Sequence, residues 1–257
     1  MNSFLHAISA EWIKGRRSFL RYSPLMFAFV TLIILLPLTL KDIASKPLQG
    51  TFALGFTSTY FIFWTFMVLP MYCILVAILN FYIEHTQGLW KHINAQPVSG
   101  VVQALVKHFY GWYYLIIATI TFFMLIVFSL FLVKIFNFNL VIGLSDPDYW
   151  RTLCLLCIKS LAGGMAIVAI LNVLAARLPG FGVTMVVGFI GLILPIFINA
   201  TDEAAPLIPW AIGKAWTYPL IFDRTAHFQA WWIIIPFVWI GACLAIHCAL
   251  QKKQPFY

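Results

Sequence analysis

Charge is what this chain has least of. Only 9% of its 257 residues are Asp, Glu, Lys or Arg, against roughly a quarter in a soluble domain, so a soluble globular chain is excluded. Acids are the scarcer sign, 8 against 16 Lys and Arg, for a net charge of +8. None of them falls in the middle of an apolar run, which argues against a proton- or ion-coupled carrier that needs buried carboxylates. The phosphate loop G-x-x-x-x-G-K-[ST] is missing; Gly213-Lys214 is followed by Ala215 and lacks the pattern. The chain therefore has no loop of its own for hydrolysing ATP. There is no H-E-x-x-H, no G-x-S-x-G and no intramembrane pair of acids, which leaves an intramembrane enzyme without a catalytic set. No basic stretch is long enough, or free enough of apolar sequence, to bind nucleic acid. The five cysteines, Cys73, Cys154, Cys157, Cys243 and Cys248, all lie in apolar blocks. They read as small core residues, and Cys154 and Cys157 have redox spacing without the soluble setting that such a pair needs.

What is present is apolar sequence: 63% hydrophobic residues and a mean hydropathy of +0.95. It comes in continuous blocks near the ~20 residues that cross a hydrocarbon core, and their continuity speaks against the alternation of a β-barrel. The expected fold is an all-α integral membrane protein, one transmembrane domain over 1–257. Six spans are expected at about 22–40, 56–82, 105–133, 152–176, 181–199 and 231–250. Pro70 and Pro195 fall inside spans and are expected to kink them. The basic N-terminal stretch precedes the Pro24–Leu40 run without a small-residue cleavage site, so it is expected to remain as an uncleaved anchor.

Orientation follows from Lys and Arg near the span ends. With the N-terminus inside, Lys14, Arg16, Arg17, Arg21, Lys91, Lys107, Arg177, Lys252 and Lys253 are cytoplasmic. Lys41, Lys46, Lys134, Arg151, Lys214 and Arg224 are outside, as are six of the eight acids. Both termini are thus expected in the cytoplasm of a multi-pass protein of the bacterial inner membrane. Lys159 alone sits inside a span; it either lines a translocation path or snorkels to the outer surface.

Three segments stand apart from the spans. Over residues 1–21, Phe4, Leu5, Ile8, Trp12 and Phe19 recur near helical spacing, with Glu11, Lys14, Arg16 and Arg17 elsewhere on the wheel. This predicts an interfacial amphipathic helix whose Lys and Arg meet anionic headgroups, the alternative being a positive flank that orients the first span. Residues 200–230, rich in Pro, Trp and Tyr, are too apolar for a solvated loop and too broken for a span. Short re-entrant or interfacial helices are expected there, with plain aromatic anchoring as the alternative. The third is the polar insert over 83–100, from Glu84 to Gly100. His85 and His92 lie seven apart within it, too few ligands for a metal site.

The insert carries Glu84, then Gly88-Leu89-Trp90-Lys91, then Ala95-Gln96-Pro97-Val98-Ser99, with Lys107 opening the next span. It resembles the E…G-x-W-K…a-x-P-V-S…K signature of permeases in the ABC type-2 exporter superfamily, most of all the branch of lantibiotic immunity and bacitracin-type resistance. Glu11-Trp12-Ile13-Lys14-Gly15-Arg16-Arg17-Ser18 is similar to that family's E-x-x-K-x-x-R-S motif. The resemblance implies a non-catalytic permease, with ATP and Mg bound by separate ATP-binding-cassette subunits. A second permease, the same chain or a paralogue, would pair with it, and an amphipathic peptide or a lipid-like molecule would be exported from the membrane. The insert would be a coupling helix seated in a groove of the ATPase: Leu89 and Trp90 as anchors, Glu84, Lys91 and His92 at the rim, and Pro97 stopping the helix. A plain interfacial turn is the alternative for the insert. For the chain as a whole, the alternatives are export of a lipid or polysaccharide, or a scaffold that transports nothing.

Overall fold

The computed structural model describes residues 2–16, 18–45, 52–86, 98–136, 147–178, 181–197, 205–212 and 233–252. The described residues are helical almost throughout, without a strand. Apolar side chains leave the backbone only itself to bond to in lipid, and a helix satisfies every peptide group within one segment. The helices are α1 (Asn2–Arg16), α2 (Ser23–Ser45), α3 (Phe52–Phe63), α4 (Leu69–Thr86), α5 (Gly100–Phe136), α6 (Pro147–Arg177), α7 (Phe181–Ile193) and α8 (Ile234–Lys252). Among the described residues four stretches are long and apolar enough to cross a membrane: Thr57–Tyr82, Gly100–Ile135, Pro147–Arg177 and Ile234–Gln251. Ser23–Pro37 and Phe181–Ile196 are shorter apolar helices.

The two expected kinks resolve differently. Pro70 cannot donate to the carbonyl four residues before it, and just ahead of it the chain widens into π turns over Trp64–Val68 that join α3 to α4. Thr65 donates its hydroxyl to the Phe61 carbonyl at 2.7 Å within this stretch. Pro195 does not kink a continuing α-helix. The α-helix stops before it, and a 3-10 turn, Leu194–Ile196, carries the proline. Residues 205–212 form a 3-10 turn and a helical turn; the rest of the 200–230 segment lies outside the described residues.

The core is aromatic and lies between α2, α4, α5 and α6. Trp64 stacks on Phe122 with centroids 4.2 Å apart and planes at 8°, and Phe61 meets the same ring edge-on at 5.3 Å. Two polar side chains in this core bond to backbone: Tyr72 donates to the Tyr114 carbonyl at 3.2 Å, and Trp112 Nε1 to the Met165 carbonyl at 3.2 Å. Glycine lets α5 and α6 close up, since a Cβ at Gly111 would lie 2.9 Å from Val168 Cγ1. Outward, Ile33, Ile120, Ile158, Ile190 and Val238 are each more than half exposed. Such a wide apolar surface is a solvation problem in water and an asset in lipid.

The described contacts define two ends of the bundle. At one end Tyr149, opening α6, bonds Thr57 of α3 at 2.8 Å. At the other, the C-termini of α4, α6 and α8 meet the N-terminus of α5. That end holds the polar chemistry.

Candidate functional site

Glu84 occupies the last turn of α4, Lys107 the second turn of α5, and Glu11 and Lys14 lie three residues apart on α1. Helix packing brings these four charges into one cluster. Lys107 Nζ lies 2.7 Å from Glu84 Oε1 and 3.1 Å from Glu11 Oε2. Lys14 Nζ lies 2.8 Å from Glu84 Oε1 and 2.8 Å from Glu11 Oε1. Burial is steep across the cluster: the side chains of Glu84 and Lys107 are 3% and 8% exposed, whereas Lys14 is 33% exposed. Two acids and two bases cancel, and a neutral set is what a poorly solvated site can hold.

Asn80, one turn before Glu84, completes the connection between α4 and α5. Its Nδ2 donates to the Lys107 carbonyl at 2.9 Å, and Lys107 Nζ donates to the Asn80 carbonyl at 2.6 Å. Lys107 Nζ thus donates to Glu11 and to the Asn80 carbonyl and pairs with Glu84, and it also stands 5.0 Å from the Phe81 ring centroid. On the other flank, His85 donates through Nε2 to the Ala175 carbonyl at 2.7 Å. That carbonyl is in the last turn of α6, where no further helical N–H is available. The consecutive residues Glu84 and His85 therefore fasten the root of the insert to α1 and α5 on one side and α6 on the other.

A second polar contact closes the same end. His108 Nε2 and His247 Nδ1 lie 3.0 Å apart, joining α5 to α8, with both residues buried. Among the described residues no group of three or more His, Cys, Asp or Glu is placed to hold a metal.

The arrangement reverses the simplest picture of an amphipathic α1. Its polar side, Glu11 and Lys14, faces the protein, while Leu5, Trp12 and Ile13 are exposed. Trp12 also packs edge-on against Tyr113 at 5.4 Å. Membrane proteins can bury polar surface and display apolar surface, because the neighbour outside is not water.

Burial pushes the Glu11 carboxyl up, but the Lys107 and Lys14 ammonium groups outweigh it and hold the pKa below its ordinary 4.5. Burial pushes Lys14 down, but the Glu11 and Glu84 carboxylates outweigh it and raise the pKa above 10.5. A lowered acid stabilises the folded state above its ordinary value and loses that contribution as pH falls through the folded value. A raised base stabilises below its ordinary value and loses it as pH rises through the folded value. The docking of α1 is therefore expected to hold across the window from 4.5 to 10.5 and to weaken on both sides. Protease susceptibility of the Gly15–Ser18 junction as a function of pH measures this; an unchanged cleavage rate well below the acid edge would contradict it.

The sequence singled out Glu11, Lys14 and Glu84, and the structure brings them together. Lys107, the last position of the signature, proves to be their common partner, and the structure adds Asn80 as its brace. Arg16 is exposed at the end of α1. Arg17, Gly88, Leu89, Trp90, Lys91, His92 and Pro97 lie outside the described residues. Lys159 is on α6, sixteen residues or about 24 Å of helix from Ala175, and takes no part in the cluster. His108 and His247 carry no motif, and only their polarity within apolar helices marks them. The chain matches no protein-family model and no curated protein.

Proposed function

We propose that this chain is the six-span permease subunit of a type-2 ABC exporter. It would reside in the bacterial inner membrane with both termini cytoplasmic and be driven by separate ATPase subunits. The observation that carries the reading is the double fastening of the insert's root: Glu84 to α1 and α5, and His85 to α6. A docking element is useful only if its displacement reaches the spans, and a root tied to three helices transmits displacement where a free loop would absorb it. ATP would draw the ATPase subunits together, and the insert would convey that motion as a shift between permease states that bind the ATPase differently. The exported molecule is proposed to be an amphipathic peptide of the lantibiotic type, entering from the lipid. Residues 1–21 would lie at the interface as the elbow of this device, and residues 200–230 would cover the outer end of the spans.

The test is copurification with an ATP-binding-cassette ATPase. Trp90→Ala with Pro97→Ala is expected to weaken that association roughly thirtyfold, the loss of one aromatic anchor worth at least about 2 kcal/mol. An intact complex without an ATPase, or a double variant that retains both binding and peptide resistance, would refute the proposal.

A further inference from the structure

The span Thr57–Tyr82 is interrupted near its middle rather than merely bent there. The Leu69 N–H bonds to the Trp64 carbonyl, five residues back, as a π turn requires. Pro70 has no N–H to give. The Thr65 carbonyl therefore meets neither of its two helical donors: Leu69 is taken and Pro70 has none. The Thr65 hydroxyl goes to the Phe61 carbonyl at 2.7 Å and the Ile62 carbonyl at 3.4 Å, a side-chain bond that itself bends helices. In lipid the backbone ladder is what stiffens a span, and along this one turn it is thinned.

The packing around this gap permits sliding. Trp64 lies flat on Phe122 of α5 with planes at 8°, and its buried Nε1 has no hydrogen-bond partner. No directional bond from the indole locks it to α5, and offset stacking keeps the contact favourable as the rings shift. The two halves of the span are, by contrast, fastened at their far ends. Thr57 of α3 bonds Tyr149 at 2.8 Å, while Glu84 and His85 tie α4 to α1, α5 and α6. From Pro70 to Glu84, α4 is an uninterrupted lever of about 21 Å. We propose that residues 64–70 are a flexure, at which α4 tilts against α3 when its inner end is displaced. Pro70 fixes where the span yields, since a missing N–H cannot move along the chain, and the π turns hold the slack that the tilt takes up. A static proline kink would hold one angle; this joint samples a range.

The test is a spin-label distance measurement by pulsed electron resonance on the full-length chain in lipid nanodiscs, with the native cysteines replaced. Labels at Thr59 and Tyr82, both exposed, span the joint over about 34 Å of helix. Labels at Phe109 and Phe131, also exposed, span a similar length of the continuous helix α5 and serve as the reference. The distance distribution across the joint is expected to be at least about twofold broader than the reference, because the ladder is thinned there. Pro70→Ala returns the N–H and is expected to narrow the distribution to the reference width. Equal widths in the chain with Pro70 overturn the proposal whether or not the variant folds, since a static kink gives that result. A broad distribution that survives in folded Pro70→Ala overturns it too, because the yielding then lies elsewhere. No ATPase is present in either arm, so the outcome is independent of the exporter reading.

Discussion

Lys107→Ala is expected to cost about 3–5 kcal/mol, the range for stripping one partner from a buried charge network. Its ammonium meets Glu84, Glu11 and the Asn80 carbonyl within 3.1 Å, and its side chain is 8% exposed. Without it, two buried carboxylates would share the single charge of Lys14, and Glu11 Oε2 would lose the ammonium it contacts. Lys14→Ala is expected to cost only about 1 kcal/mol, because a third of that side chain is in contact with solvent and its pairing is screened. Thermal unfolding of the purified chain in detergent separates the two. Equal losses for Lys14→Ala and Lys107→Ala would show that burial does not set the hierarchy. Glu84→Gln combined with Lys107→Met is expected to recover most of the loss, since removing both charges leaves nothing uncompensated.

Gly15→Leu is expected to pry α1 from the bundle. A Cβ at Gly15 would fall 1.4 Å from the Tyr110 hydroxyl and 2.9 Å from that of Tyr114, so contact is impossible without moving α1 or both rings. The Tyr110 hydroxyl cannot swing aside freely while it is bonded to Tyr114 at 3.0 Å. Overpacking of this kind costs about 1–3 kcal/mol, and here it also drags Glu11 and Lys14 out of the cluster. Adding Tyr110→Ala should restore part of the docking by opening the space that the leucine needs. Crosslinking between cysteines placed at Phe4 and Phe109, whose rings lie 6.1 Å apart, reports the position of α1 directly. Full crosslinking in Gly15→Leu would count against the close approach.

The apolar helices were legible because hydropathy records which residues tolerate lipid. Their ends were less so: the span expected at about 105–133 is a helix over Gly100–Phe136, and that at 152–176 runs Pro147–Arg177. Hydropathy gauges membrane thickness, about 30 Å, whereas a 37-residue helix extends to about 55 Å. Polar residues such as Asp148 and Arg151 continue a helix without continuing its apolar character. The charge cluster was legible as components only. Glu11, Lys14 and Glu84 stood out as charges in a chain nearly without them, yet their pairing spans separations of 70 and 96 residues. No local spacing encodes that; it depends on the rotation of α1 against α4 and α5. Two local signs existed: the Glu11–Lys14 spacing of three, which pairs them on α1, and the Asn80–Glu84 spacing of four, which places two polar groups on the same face of an apolar helix. The π turns over Trp64–Val68 left no trace beyond Pro70 itself.

The unequal saturation of the two lysines sets an order of yielding. Lys14 faces solvent on one side, so water can replace its carboxylate partners one at a time, and α1 can slip by small, reversible steps. Lys107 has no such substitute at hand. Every acceptor it holds is inside the protein, and α4 and α5 part only if Glu84 and the Asn80 carbonyl are surrendered together. Under a pull applied to the segment that links α4 to α5, the joint between those helices behaves as a stiff hinge pin and α1 as a slipping clutch. Force arriving there is passed deep into the bundle before it is dissipated at its edge.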